Sequence, residues 1–217
     1  MPDFINHPMQ LIAILVLLSL LPLLVVMGTS FLKLSIVFAL LRNALGVQQI
    51  PPNIAIYGLS LILTMFIMAP IGFDISSSLN KNPISLSSPH FVEQVDQQIL
   101  TPYRAFLQRN TSTQELKFFS DIGRKAWPAA YQKKLDPTSL IVLLPAFTVA
   151  QLTESFKIGL LLYLPFVAID LIVSIILLAM GMMMVSPMTI SLPFKVLIFV
   201  LMNGWDKLLT QLVLSYR

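Results

Sequence analysis

The chain has 217 residues, of which 56% are hydrophobic and only 11% are charged, and its formal net charge is +4. Soluble globular domains carry about 25% charged residues, so this composition excludes an ordinary water-soluble domain. The absence of cysteine excludes a disulfide framework, a thiolate metal site and a cysteine nucleophile. The basic residues are not gathered into one face with interleaved aromatics, which argues against binding of nucleic acid.

The first third of the chain, residues 1–75, is predicted to form hydrophobic helices. Its polar head MPDFINHP has no Lys or Arg, so we expect an uncleaved first segment rather than a signal peptide. The apolar run 11–41 would measure about 46 Å as one helix, against a hydrocarbon core of about 30 Å. It is therefore either one span with a helical extension or a broken pair. A second apolar run, 54–75, follows two prolines, and Asn53 can cap it.

The rest of the chain divides into a polar and an apolar part. Residues 76–138 are predicted to be an extramembrane insert that is partly helical, because apolar residues from Phe91 onward recur at helical spacing. Residues 139–217 predict a helical hairpin that turns near Ser186 and Pro187, with internal prolines as kinks. The predicted fold class is all-α, built from kinked long helical hairpins.

Several charged side chains lie in or against the apolar runs. A single charge facing lipid at the bilayer centre costs about 2.5–3.5 kcal/mol. These side chains must therefore meet partners, water or other subunits. They are Lys33, Glu154, Lys157, Asp170, Lys195, Asp206 and Lys207.

Two pairs of these charges invite different interpretations. Glu154 and Lys157 are three residues apart, so a local ion pair on one helix is expected. Asp170 and Lys195 would lie about 24 Å and about 13 Å from a turn at Ser186, a mismatch of about 11 Å. A bond between copies of the chain would repair this mismatch. The alternative is that each group meets a separate local partner.

Met182, Met183 and Met184 form an uninterrupted methionine run. Methionine is adaptable, and a single one usually fills gaps in a core. Three successive helical residues sweep about 200° of a helix and cannot share one packing face. Gly181 and Pro187 favour a looped backbone instead, from which several methionines project together. Repeated around a symmetry axis, such a loop would form a soft apolar ring.

Motifs of enzymes are missing. His7 and His90 are far apart and form no metal-binding pattern, and no glycine-rich phosphate motif occurs. We therefore expect no enzymatic activity, no cofactor and no metal.

Three long segments carry a family resemblance. They are MGTSFLKLSIVFALLRNALGVQQIPPN (27–53), LLPAFTVAQLTESFKIGLLLYLPFVAIDL (143–171) and GMMMVSPMTISLPFKVLIFVLMNGWDKL (181–208). They resemble the FliP/SctR family of type III secretion export-gate proteins. Because we expect no signal peptide, the chain looks more similar to the injectisome branch of that family (SctR, YscR or SpaP type) than to the flagellar branch. The resemblance covers nearly the whole chain except the polar insert.

The resemblance implies an assembly rather than a single chain. Five copies would form a helical homo-oligomer with SctS/FliQ-like and SctT/FliR-like subunits, beside SctU/FlhB-like and SctV/FlhA-like export proteins. Unfolded secretion substrates would pass through it. The implied location is the bacterial inner membrane, largely within the basal body on the periplasmic side.

The resemblance also implies roles for single residues. Met182, Met183 and Met184 match a methionine gasket of the pore, and Lys195 and Asp170 match charged positions at intersubunit contacts.

One position departs from the family pattern. Gln151 stands where many relatives have a glutamate, so its pairing with Lys195 of a neighbouring copy would be a neutral amide contact at most. Glu154, one helical turn later, is the candidate substitute.

The implied function is that of a core export-gate subunit forming the entry portal of the secretion channel. The alternative is a small-solute or ion transporter that uses Asp170, Lys195 and Glu154 as an intramembrane charge relay.

Overall fold

The computed structural model describes residues 8–47, 50–82 and 91–216. Helices make up most of these residues and no strand occurs among them. The all-α prediction is confirmed. The expected uncleaved segment begins in residues 1–7, which lie outside the described residues.

The first apolar run forms two helices rather than one. Helix α1 covers Pro8–Gly28 and α2 covers Phe31–Leu45. The part of α1 from Leu18 meets α2 at an angle of 62°. The broken-pair alternative is therefore the one that the structure adopts, and the break lies at Thr29 and Ser30 rather than at a proline.

The second apolar run forms helix α3, Asn53–Lys81, which continues six residues beyond Ile75 into the polar insert. The expectation that Asn53 caps this helix is wrong. Asn53 is its first helical residue, and its side-chain oxygen accepts a hydrogen bond of 2.6 Å from the Arg42 guanidinium. Asn53 thus joins the start of α3 to the end of α2.

The polar insert, for which we expected a partly helical structure, is largely helical where the structure describes it. It contains the short α4 (Phe91–Val95), a π-helical turn, then α5 (Thr101–Arg109), α6 (Thr113–Ala126) and a 3₁₀ turn at Ala129–Lys134. An ion pair of 2.6 Å between Arg104 and Asp96 connects α5 to the π-helical turn. The hydrogen bond from Arg104 lowers the pKa of Asp96.

The last third forms the predicted hairpin, with one additional break. Helix α7 covers Leu140–Ala179 and α8 covers Pro187–Leu201, so the connection spans residues 180–186 and ends at the predicted turn near Ser186 and Pro187. Helix α9, Gly204–Leu214, departs from α8 at 63°. Asn203 occupies the left-handed region at this break, with a φ of +50°.

Two hydrophobic cores hold the helices together. The larger one is centred on α2, which packs mainly against α7 and also contacts α3 and α8. The smaller one joins α5 to the first turns of α7, and there the Tyr103 hydroxyl donates a hydrogen bond to the Gly28 carbonyl at the end of α1. Burial raises the pKa of Tyr103 to about 12, so this hydroxyl remains a donor at neutral pH.

Two of the described helices, Asn53–Lys81 and Leu140–Ala179, are long and apolar enough to cross a membrane. The number rises to four if the bent pairs α1–α2 and α8–α9 each count as one span. Large apolar side chains remain exposed along α3, α7 and α8.

Candidate functional site: the methionine loop and the buried charges

The methionine loop, residues 180–186, connects α7 to α8. Gly181 has a φ of +73°. Its amide donates to the Leu178 carbonyl, and the Met182 amide donates to the Leu177 carbonyl. This hydrogen-bond pattern is the Schellman motif, which ends a helix at a glycine in the left-handed region. Pro187 then opens α8 at a position where its missing N–H costs nothing.

The three methionines of the run project away from the rest of the chain. Met182 is 43% exposed, and Met183 and Met184 are 81% and 101% exposed. The prediction of a looped backbone is confirmed, and the methionines are not core filler. Contiguous exposed apolar groups of this kind mark an interaction surface.

A buried charge network lies below the loop. Lys195 of α8 is only 2% exposed, and its ammonium group lies 2.6 Å from the Asp170 carboxylate of α7. Ser191 donates a hydrogen bond to the other oxygen of Asp170. Lys195 also donates to the Ala44 carbonyl, in the last turn of α2, at 3.4 Å. The network therefore ties α7, α8 and α2 together.

The expected mismatch between Asp170 and Lys195 is wrong. It assumed that both helices run to Ser186, but α7 ends at Ala179 and α8 begins at Pro187. Counted from those ends, both residues lie about 12–14 Å from the loop. They are level with each other and pair within one chain. The mismatch therefore gives no reason to expect a bond between copies.

Gln151 also finds its partners inside the chain. Its amide nitrogen donates to the Asn110 carbonyl at 2.9 Å, and its oxygen accepts a hydrogen bond of 2.6 Å from the Tyr216 hydroxyl. Gln151 is buried, so these bonds satisfy both ends of an amide that would otherwise be costly to bury. It joins α7 to the insert and to the C-terminal residues.

Glu154 forms the predicted local ion pair with Lys157, at 3.1 Å. Both side chains are exposed, so the pair contributes less than about 1 kcal/mol to stability. It lies among exposed apolar residues of α7, such as Phe156 and Leu160.

Lys33 needed a partner, and the structure supplies one that sequence reasoning missed. Its ammonium group donates to the Ser215 hydroxyl at 3.0 Å and lies 4.6 Å from the centre of the Tyr216 ring. Tyr216 also stacks on Phe106. No local pattern signals contacts between residues so far apart in the chain. Ser191, also missed, had a signal, because it lies one helical turn before Lys195.

The fold and these contacts define a class: a membrane-associated, all-helical protein with exposed apolar faces, in which Asp170 and Lys195 pair within the chain. The FliP family matches residues 14–212. The chain belongs to the FliP family, which confirms the resemblance carried by the three segments.

Curated relatives extend over almost the whole chain. It is 57% identical over 212 residues to the "Virulence protein YscR" of Salmonella typhimurium, covering 97% of this chain and 98% of that protein. It is 56% identical over 216 residues to the "Yop proteins translocation protein R" of Yersinia pestis, covering 100% and 98%. It is 43% identical over 209 residues to the "Harpin secretion protein HrcR" of Erwinia amylovora, covering 96% of each.

Proposed function

We propose that this chain is a core subunit of a type III secretion export gate and forms part of the entry portal of the protein secretion channel. The observation that carries the proposal is the methionine loop, three exposed thioether side chains on a tight connection between two long apolar helices. The family and the printed names of the relatives, which refer to translocation, secretion and virulence, support it.

Met182, Met183 and Met184 act as a gasket in this proposal. Their side chains are unbranched and polarizable, so a ring of them adapts its shape to different surfaces. Copies arranged around an axis would bring the loops together and exclude water and ions. The same soft ring would yield to an unfolded polypeptide.

The exposed apolar faces support an assembly. Other subunits of the secretion apparatus would cover them, and we propose five copies of this chain with SctS/FliQ-like and SctT/FliR-like subunits. SctU/FlhB-like and SctV/FlhA-like proteins would be further neighbours. This chain would lie in the bacterial inner membrane, largely within the basal body on the periplasmic side.

The four proposed contact residues divide by exposure. Glu154 is exposed and the Asp170 side chain is 35% exposed, so both can meet a neighbouring subunit. Lys195 and Gln151 are buried, and they would support the contact surface from within.

The gasket is tested by replacing Met182, Met183 and Met184 together with alanine. The assembled complex should remain intact while small-solute leakage across the membrane rises several-fold, because alanine leaves the ring open. Leakage is measured in cells, or in vesicles containing the purified complex. Met65→Ala is the matched control, since Met65 is 68% exposed but lies on α3, away from the loop. Wild-type leakage from an intact triple variant would refute the gasket.

The transporter alternative is not favoured. Glu154 and Asp170 are 16 residues apart on α7, a distance of about 24 Å, and Glu154 pairs with Lys157 at the surface. The three residues therefore form no continuous relay within one chain. Ion or solute flux through the chain reconstituted alone would favour the transporter over the export gate.

A further inference from the structure

The methionine loop carries the most exposed sulfur-bearing side chains in the part of the chain that the structure describes. Met183 is 81% exposed and Met184 is 101% exposed. Met65 on α3 and Met202 at the end of α8 are 68% and 58% exposed. The sequence has no cysteine, so no thiol competes with these thioethers for an oxidant. Among the described residues, the loop is therefore the most accessible target for oxidation of sulfur.

The loop has room for an added oxygen atom without a change of its backbone. The Met183 amide donates to the Gly181 carbonyl at 3.0 Å, and the Val185 amide donates to the Met182 carbonyl at 3.4 Å. Neither bond uses a side chain. Because the Met183 and Met184 side chains lie largely in open space, an oxygen on their sulfur atoms meets little packed protein. Oxidation thus changes the polarity of the loop and leaves its hydrogen bonds in place.

A seal made by these side chains depends on their polarity. Oxidation converts the flexible, apolar thioether of methionine into a sulfoxide, which is polar and chiral. A sulfoxide oxygen accepts hydrogen bonds, and leaving it without a partner in a dry ring costs free energy. A ring of sulfoxides therefore draws in water, whereas a ring of thioethers excludes it.

We propose that Met183 and Met184 form an oxidation site, and that their conversion to methionine sulfoxide by a hydroperoxide opens the closed gate to water and ions. Met182, which is 43% exposed, is oxidised more slowly. The inference rests on the proposed function of the loop as a gasket. It adds a chemical state in which the assembled gate leaks without losing a subunit.

Each oxidation transfers one oxygen atom. A lone pair of the thioether sulfur attacks the terminal oxygen of the hydroperoxide, so that an S–O bond forms and the O–O bond breaks. Sulfur loses two electrons, and the leaving oxygen takes up the proton of the transferred hydroxyl group, which gives water or an alcohol. Methionine sulfoxide reductases reverse the change, with thiols as the electron donors and one enzyme for each sulfoxide epimer.

The place of the loop in the gate favours attack there over attack on the other exposed methionines. A gasket borders the channel, so water and small oxidants reach it from at least one side. Met65 lies on α3, which is long and apolar enough to cross a membrane, so lipid or another subunit would cover it. The preference for the loop should therefore be greater in the assembled complex than in the single chain.

The site is tested first by the rate of oxidation at each position. The assembled complex in mild detergent is treated with hydrogen peroxide, and mass spectrometry of its peptides gives the oxidised fraction of each methionine over time. Met183 and Met184 should be oxidised faster than Met65 and Met202 by about twofold or more, because susceptibility follows exposure. Equal rates at all four positions would contradict a preferred site. The mass of the intact complex should show that no subunit is lost.

Leakage tests the consequence for the gate. In vesicles containing the complex, we expect peroxide to raise small-solute leakage several-fold, and methionine sulfoxide reductases to reverse the rise. Replacing Met182, Met183 and Met184 with leucine should bring the ratio of leakage after and before peroxide close to one, whatever the starting leakage, because leucine has no sulfur. The matched control combines Met65→Leu with Met202→Leu and should keep the ratio of the wild type.

A variant without any oxidant supplies an independent test. Met183→Gln combined with Met184→Gln places polar side chains of similar length in the loop and should leak without peroxide. Wild-type leakage from this variant would overturn the proposal, and so would the same peroxide response in the leucine variant as in the wild type.

Failure of this inference can be told apart from failure of the gasket. If the alanine variant leaks but a complex with sulfoxide at both positions does not, the gasket stands and the oxidation site has no effect on it. If neither leaks, the gasket itself is wrong.

Discussion

Gly181 determines where α7 ends and therefore where the methionines project. Its φ of +73° lies in the left-handed region, which costs a residue with a Cβ about 1–2 kcal/mol. No neighbouring atom lies within 4 Å of a Cβ placed there. The requirement for glycine is therefore one of backbone conformation and not of space.

Gly181→Ala should destabilise the helix end by about 1 kcal/mol, and Gly181→Asn by less, because asparagine tolerates the left-handed region. The measurement is the thermal unfolding of the purified protein in detergent. Gly72→Ala is the control: Gly72 lies inside α3 with open space around it, and alanine there should be neutral or stabilising. Equal losses for Gly181→Ala and Gly181→Asn would contradict the conformational explanation.

The methionine loop and the contact of Lys33 differ in how far they could be predicted from the sequence. The methionine loop is encoded locally, because a glycine and a proline flank the methionines within a few positions. The contact of Lys33 with Ser215 joins residues 182 positions apart, and the packing of three helices decides it. The sequence predicts that Lys33 needs a partner but does not identify it.

The close packing of α2 against α7 depends on Gly159. A Cβ at this position would lie 2.2 Å from a terminal methyl carbon of Leu40 and 3.2 Å from the Leu40 Cβ. The two helices therefore approach at a point where only glycine fits without a shift. This contact aligns α7 beside the larger core.

Gly159→Ala should reduce the free energy of unfolding by about 1–3 kcal/mol, because the Leu40 side chain must leave its position. Gly58→Ala, on α3 with no atom nearby, serves as the control. Adding Leu40→Ala to Gly159→Ala should recover part of the loss, so the two changes would be less than additive in a thermal or denaturant melt. Strict additivity would show that the two residues do not press on each other.

Long elements were predicted better than their ends. The hydrophobic runs predicted the helices because burial or lipid contact is a property of many residues together. The break between α8 and α9 was missed, although Asn203-Gly204 is a turn dipeptide. The expected mismatch between Asp170 and Lys195 was wrong for the same reason. That expectation counted the six residues 180–185 as part of α7, but they belong to the methionine loop.

The size of α7 constrains the whole molecule. Its 40 residues extend about 60 Å, twice the hydrocarbon thickness of about 30 Å. Its first turns pack with the polar insert, and its later part carries Asp170 and leads to the methionine loop. Other protein or water must therefore surround part of this helix, which accords with a gate that lies partly outside the lipid.

Lys195→Ala should lower the yield of the assembled complex. Removal of one partner from a buried ion pair costs about 3 kcal/mol, here at the lower end because the Asp170 side chain is partly exposed. The surface formed by α7 and α8 would then lose its shape. The measurement is the mass of the intact complex after purification in mild detergent.

Two further comparisons show what a loss of assembly in Lys195→Ala would mean. Lys207→Ala should leave assembly unchanged, because this lysine is exposed on α9. Lys195→Met combined with Asp170→Asn should assemble better than Lys195→Met alone, since no unpaired charge remains. A wild-type oligomer yield from Lys195→Ala would make Lys195 a local structural residue only.

The Asp170–Lys195 pair has a mechanical consequence for the methionine loop. It acts as a noncovalent cross-link that closes a segment of 24 intervening residues, whose conformational freedom is reduced by the closure. Helices α7 and α8 stay together while the ion pair is intact, so movement of the backbone is confined to the few residues between Ala179 and Pro187. The gate would then deform at its rim, with side-chain rotations and small loop shifts, and would not require α7 and α8 to separate at every passage.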